Sequence, residues 1–226
     1  VFWEIGLVPM YFLINQWGSA NKDYASLKFM IYTMGGSLGL LLAVQMLGVL
    51  FGTYDLVALY QQWNSLSADT ILMGMTVGTV KTIAFWAFAI AFAVKVPLWP
   101  FHTWLPDAHT EAPTAGSMLL AGVLLKLGAY GFIRLVLPLY PLEAKIFAGA
   151  LAFLAVGAIV FGAFGSFGQT DFKRLVAYSS VNHMGFVVLG IAAAGLAAGT
   201  PDAHIAMSGA VLQMFNHGLS AAGMFF

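Results

Sequence analysis

Residues 91–134, AFAVKVPLWPFHTWLPDAHTEAPTAGSMLLAGVLLKLGAYGFIR, set two lysines inside apolar stretches and join them by a segment punctuated by Pro97, Pro100, Pro106 and Pro113. A charge at the centre of a membrane span costs about 2.5–3.5 kcal/mol even on the lenient insertion scale. Proline removes a backbone donor and disrupts the preceding turn, and such a break is tolerated at membrane depth only where it is packed in protein or faces a hydrated cavity. The stretch therefore predicts a Pro-broken helix beside buried charge, a pattern that transporters use.

Working outward, the composition supports a membrane solvent. Hydrophobic residues make up 61% of the chain and charged residues 8%, with a mean hydropathy of +0.88; a soluble domain carries about 25% charged residues. The formal net charge of zero leaves no large basic surface, so nucleic acid is excluded as a partner. No cysteine is present, hence no disulfide, thiolate metal site or cysteine-ligated iron–sulfur cluster. The fold class expected is all-α, a polytopic transmembrane helix bundle forming a single membrane domain over 1–226.

A span needs about 20 apolar residues, and the candidates are 1–14, 29–51, 81–101, 115–137, 145–166, 175–198 and 204–226. The first and last read as incomplete: the chain opens on Val1-Phe2-Trp3-Glu4 and closes on Gly223-Met224-Phe225-Phe226 inside an apolar run. We read the sequence as the interior of a longer protein. Polar residues mark the connections, Asn15 to Lys28 and Gly168 to Arg174 as interfacial loops. Residues 53–80 interleave Asp55, Gln61, Gln62, Asn64 and Asp69 with Leu, Tyr and Trp, which predicts an amphipathic segment in the interface. Lys22, Lys28, Lys173 and Arg174 on one side against Lys81, Arg134 and Lys145 on the other give little charge bias for orientation.

Counting helix rise from the nearest interface puts Glu4, Lys126, His183 and His217 roughly 14–18 Å deep and Lys95 about 21 Å deep, in a core about 30 Å thick. Five ionisable groups on five spans thus fall near one depth and form a row parallel to the membrane. Burial and a Glu–Lys contact act on a lysine in opposite senses, so its proton responds when the partner moves; a histidine between lysines suits a relay. Simpler readings stand beside these. His183 and His217 equally fit helix-packing hydrogen bonds, Glu4 a counter-ion, and Arg134 a snorkelling residue. In the loop after Lys95, Asp107 and His109 are expected to hydrogen-bond backbone groups freed by the prolines rather than hold a metal. Gly122, Gly128 and Gly131 are expected to permit close helix approach.

Four blocks, FWEIGLVPMYFLI (2–14), 91–134 as quoted, DFKRLVAYSSVNHMGF (171–186) and GAVLQMFNHGLSAAGMFF (209–226), resemble the antiporter-like membrane subunits of respiratory complex I, the NADH:quinone oxidoreductases. Within that family Trp3-Glu4 followed by Leu7-Val8-Pro9-Met10-Tyr11-Phe12-Leu13 is similar to the M type. The resemblance implies a fourteen-helix, inverted-repeat fold of which this chain is the central part, helices five to eleven. It implies a proton relay in which Glu4 pairs with Lys95, Lys126 follows, and His183 and His217 carry the proton on. No cofactor is implied in this chain: NADH, FMN, iron–sulfur clusters and quinone would lie in partner subunits, and its neighbours would be other membrane subunits and the lipid bilayer. The implied location is the bacterial inner (plasma) membrane, multi-pass. The same motifs also serve Mrp-type cation/proton antiporters and membrane-bound hydrogenases, and a structural scaffold is a further reading.

Overall fold

The computed structural model describes residues 2–226, with side chains described from Trp3 onward; Val1, the first residue of the span predicted at 1–14, lies outside them. The chain is an all-α bundle. In order it forms α1 (Phe2–Ile5), α2 (Leu7–Trp17), α3 (Lys22–Phe51), α4 (Leu56–Ser65), a β1–β2 hairpin (Ile71–Leu72, Met75–Thr76), α5 (Val77–Lys95) and α6 (Trp104–Glu111). A 26-residue helix, Thr114–Leu139, follows as α7 (Thr114–Leu119), α8 (Leu125–Gly131) and α9 (Leu137–Leu139), joined by π turns at Leu120–Leu124 and Phe132–Val136. Then come α10 (Pro141–Ile146), α11 (Ala148–Phe167), α12 (Phe172–Leu196) and α13 (Pro201–Phe225). Five of these helices, Lys22–Phe51, Val77–Lys95, Thr114–Leu139, Ala148–Phe167 and Phe172–Leu196, are long and apolar enough to cross a membrane.

Several boundaries differ from those predicted. The loop expected over Asn15 to Lys28 shrinks to residues 18–21, because α2 runs on to Trp17 and α3 starts at Lys22. Polar residues at a helix end stay solvated without ending the helix; Lys22, Asp23 and Tyr24 sit on the first turn of α3. Residues 53–80, expected as an amphipathic segment, hold α4 and the β1–β2 hairpin, and α5 begins within them at Val77. Asp55 caps α4 by accepting the Ala58 N–H at 2.8 Å, and Leu59 and Trp63 bury one face of that helix. Met73 (φ 53°) and Gly74 (φ 80°) turn the hairpin that pairs Ile71 with Thr76.

Proline explains the end of α5 atom by atom. Pro97 has no N–H for the Ala93 carbonyl four residues back; the Leu98 N–H takes that carbonyl instead, at 2.9 Å. The Val94 carbonyl accepts the Trp104 indole N–H at 2.9 Å, which ties the first residue of α6 to the last turn of α5. A second proline works the same way: Pro138 cannot donate to Arg134, and the Arg134 carbonyl accepts the Tyr60 hydroxyl. Helix α4 thereby docks on the end of the 26-residue helix, and Asn64 adds a bond to the Pro138 carbonyl at 2.9 Å.

The connections 18–21 and 168–171 mark one end of the bundle, called side A here; residues 52–76 lie at side B. α6 reaches side A, since the Ser19 N–H donates to the Glu111 carbonyl at 3.0 Å and Lys173 Nζ to the Ala112 carbonyl at 2.8 Å. Aromatic rings fill the space between α5 and its neighbours. Phe85, Phe88, Phe92, Phe132 and Tyr140 are all fully buried and meet edge-on or tilted, at centroid distances of 5.5–6.3 Å.

Candidate functional site

Glycine brings the two lysine-bearing helices together. A Cβ on Gly128 would lie 2.7 Å from Val96 Cγ2 and 3.0 Å from Lys95 Cβ, and one on Gly131 would lie 2.5 Å from the Phe92 ring. Only a hydrogen fits at either position, as expected for close helix approach. Gly122 behaves differently, for its nearest neighbours are 3.9 Å away. Lys95 is 4% exposed. Its Nζ has no hydrogen-bond partner and lies 4.9 Å from the centre of the Trp3 ring, a cation–π contact. The Trp3 indole in turn donates to Ser37 Oγ at 2.9 Å.

Both carboxylate oxygens of Glu4 are buried and without a hydrogen-bond partner, at a cavity of about 230 Å³ between α1 and α3. Among the described residues the ion pairs are Lys28–Asp107 and Arg174–Asp107. Glu4 and Lys95 are not in direct contact in this arrangement, and the indole of Trp3 is what faces the ammonium.

Lys126 occupies a specialised turn. At the first π turn the Leu125 N–H reaches back five residues to the Leu120 carbonyl, leaving the Ala121 carbonyl to accept a bond from Lys126 Nζ. Single π turns inside α-helices are frequent at functional sites. The same Nζ lies 2.7 Å from His217 Nδ1. His217 is 2% exposed, and its ring centre is 5.5 Å from that of His183. Gln213 Nε2 sits 3.0 Å from His183 Nδ1. Lys126, His217, His183 and Gln213 thus line up across the 26-residue helix, α13 and α12, bonded pairwise as Lys126–His217 and Gln213–His183, with the two imidazoles tilted against each other between the pairs and His217 Nε2 without a partner. Gly218 adjoins it, with its Cβ position 3.6 Å from Lys126 Cε, and a cavity of about 620 Å³ opens beside Lys126 between Met118 and Phe215. His183 itself is exposed at the bundle face.

Of the residues selected from sequence, three of five therefore meet in one cluster, and Lys95 lies against the same helix through Gly128. Two expectations for the loop after Lys95 fail. The Asp107 carboxylate bonds not to freed backbone but to Lys28 Nζ at 2.7 Å and Arg174 Nη2 at 3.1 Å. Neither ring nitrogen of His109 has a partner; the ring is fully buried and stacked on Phe225 at 4.5 Å. The reason is that 104–111 is helical, so Trp104, Leu105, Ala108 and His109 share a buried face. That 3.6-residue spacing was the available signal for His109; reading the segment as a loop hid it. Gln213 was missed too, one turn before His217 on the same helix. Among the described residues no group of three or more His, Cys, Asp or Glu is placed to hold a metal ion.

A family model described as "NADH:quinone oxidoreductase/Mrp antiporter, TM" matches residues 1–226. NADH-quinone oxidoreductase subunit M of Rhodobacter capsulatus is 43% identical over 227 residues, covering 100% of this chain and 43% of its own length. The protein of the same description from Pseudomonas aeruginosa is 45% identical over 230 residues, covering 99% and 42%. Among solved structures, a chain of respiratory complex I from Thermus thermophilus with bound NADH superposes with a TM-score of 0.83 at 33% identity, covering 99% of this chain and 44% of that one. A chain of an archaeal respiratory membrane complex, the membrane-bound sulfane sulfur reductase, gives 0.80 at 26% identity, covering 99% and 35%. The chain thus spans less than half the length of each of these relatives.

Proposed function

Since this chain belongs to the NADH:quinone oxidoreductase/Mrp antiporter family of membrane proteins, we propose that it moves protons as part of an NADH:quinone oxidoreductase, using Glu4, Lys95, Lys126, His183 and His217. The observation that carries this reading is the 2.7 Å approach of Lys126 Nζ to His217 Nδ1. At that distance one hydrogen bond joins two groups that each accept a proton, and the proton passes along it without either group moving. His183, in ring contact with His217, extends the path by a further transfer, and Gln213 orients its imidazole.

Lys95 and Glu4 act on this chain through their field. Unit charges about 10 Å apart at an effective dielectric constant of 20 interact by about 1.7 kcal/mol, and packed helices lie about 8–10 Å apart. Such a change moves the equilibrium of a shared proton by over tenfold. When Lys95 swings from Trp3 to Glu4, its charge is neutralised and the repulsion on the Lys126 ammonium falls; when it swings back, the proton is driven from Lys126 toward the histidines. On this reading α5 and α6 are the two halves of one broken crossing, and the chain makes seven crossings corresponding to the central helices of a longer subunit. The oxidation of NADH and reduction of quinone, with FMN and iron–sulfur clusters, belong to partner subunits, and the setting is the bacterial plasma membrane.

The test is the number of protons moved per NADH oxidised by the assembled complex carrying Lys126→Met or Lys95→Met. Each substitution is expected to lower that number, and normal pumping in both would refute the reading. A second reading, a cation/proton antiporter or another respiratory membrane complex of the same fold, draws on the similarity to the sulfane sulfur reductase chain. Co-purification with NADH-oxidising subunits separates the two.

A further inference from the structure

Helix α6 is short, eight residues, and its place depends on contacts with elements distant in sequence. The Glu111 carboxylate accepts the Asn21 N–H at 2.9 Å, Ser117 Oγ on the Lys126-bearing helix donates to the His109 carbonyl at 3.1 Å, and the His109 ring lies flat on Phe225 of α13. At the middle of α6 stands Asp107. Its two oxygens take separate cations from separate helices, Lys28 of α3 at 2.7 Å and Arg174 of α12 at 3.1 Å.

An exposed ion pair contributes little, but this one differs in three ways. Lys28 and Asp107 are only 18% and 19% exposed while the Arg174 arm is 44% exposed, one carboxylate serves both cations, and the cations are anchored on helices far apart in sequence. Removing the negative charge would leave Lys28 and Arg174 facing each other across a neutral group. The other charged side chains near this end are engaged with their own partners: Lys173 with the Ala112 carbonyl, Asp171 with the Arg174 N–H, and Asp23 with Asn15. None of these bonds replaces the Asp107 carboxylate.

We propose that Asp107 is a positioning residue for the Lys126–His217 pair: by holding Lys28 and Arg174 at once, its carboxylate fixes α6, and with it His109, against α13 on the side-A approach to that pair. This inference rests on the proton-transfer reading. Asp107 touches neither Lys126 nor His217, and it acts through the placement of α6.

Residues 1–226 hold no cysteine, so with any cysteine elsewhere in the subunit replaced by serine, an Ala108→Cys substitution at a fully buried position of α6 reports on that placement. In membranes containing the full-length subunit in its complex, maleimide labelling of this subunit's band and protons moved per NADH are measured together. Adding Asp107→Asn is expected to speed labelling by about tenfold or more, as local opening exposes the thiol, and to lower the proton count; Asp107→Glu is expected to restore both. Unchanged labelling in Asp107→Asn overturns the proposal. Faster labelling with a wild-type proton count also overturns it, because α6 would then move without consequence for the pair. If Asp107→Asn prevents assembly, Lys28→Gln and Arg174→Gln each remove one arm. Each is then expected to speed labelling and lower the proton count in part, and wild-type values in both variants overturn the proposal. Lys126→Met, run alongside, judges the proton-transfer reading separately, since that reading stands if Lys126→Met lowers the proton count whatever happens at Asp107.

Discussion

A single hydrogen atom decides how closely Lys95 approaches its neighbouring helix. A Cβ on Gly128 would lie 3.0 Å from Lys95 Cβ, 2.7 Å from Val96 Cγ2 and 3.1 Å from the Phe92 carbonyl, and two of these are backbone or near-backbone atoms that cannot rotate away. Gly128→Ala should therefore push α8 from α5. Overpacking of this kind costs about 1–3 kcal/mol, expected as a lower thermal midpoint of the assembled complex together with slower proton transfer. Gly122, whose Cβ position would meet Ala222 and Gly218 at an ordinary contact distance of 3.9 Å, serves as control: Gly122→Ala should leave both measurements near wild type. The residues of the row were legible because an ionisable side chain in an apolar run is conspicuous whatever the fold. The partner each would face was not. Trp3 precedes Glu4 in sequence, yet only the packing of α1 against α5 shows that the indole, and not the carboxylate, meets Lys95.

The helices were legible from hydropathy to within several residues, because a span must exclude charge over its length and the interface need not begin where the charges do. The Thr114–Leu139 helix is the exception in kind. Nothing in LLAGVLLKLGAYGFIRLV distinguishes π turns from α-helix, since leucine, alanine and glycine are indifferent to the extra residue. The first turn leaves the Ala121 carbonyl free for Lys126, whereas the Arg134 carbonyl is free for Tyr60 because Pro138 has no N–H to give it. Deleting Val123, an exposed residue within the first π turn, would restore α-helical bonding with the flanking turns nearly in register, because a π turn holds one residue more than the α turn it replaces. The Ala121 carbonyl would then be taken by a backbone N–H, and the Lys126 ammonium that faces His217 would lose that acceptor. The expected result is an assembled subunit with normal helix content by circular dichroism and a reduced proton count; a wild-type proton count would show that the π turn is dispensable. Helix α6 is comparable, for prolines at 97, 100, 106 and 113 suggested a loop while eight residues with Pro106 in the first turn formed a helix with His109 on its buried face.

At the scale of the molecule, the bundle joins a lysine held against an indole, a lysine bonded to histidine, and a short helix pinned by one carboxylate to two others. The decisive contrast is between a histidine that carries protons and one that fills space. His217 is buried, and its ring lies between Lys126 and His183. Replacing it by phenylalanine keeps a ring of similar size at that position and removes both nitrogens. The measurement is protons translocated per NADH oxidised by the complex carrying His217→Phe, normalised to the amount assembled in the membrane. A proton path through Lys126, His217 and His183 requires that number to fall below wild type with assembly intact. A wild-type number with the phenylalanine in place would contradict it.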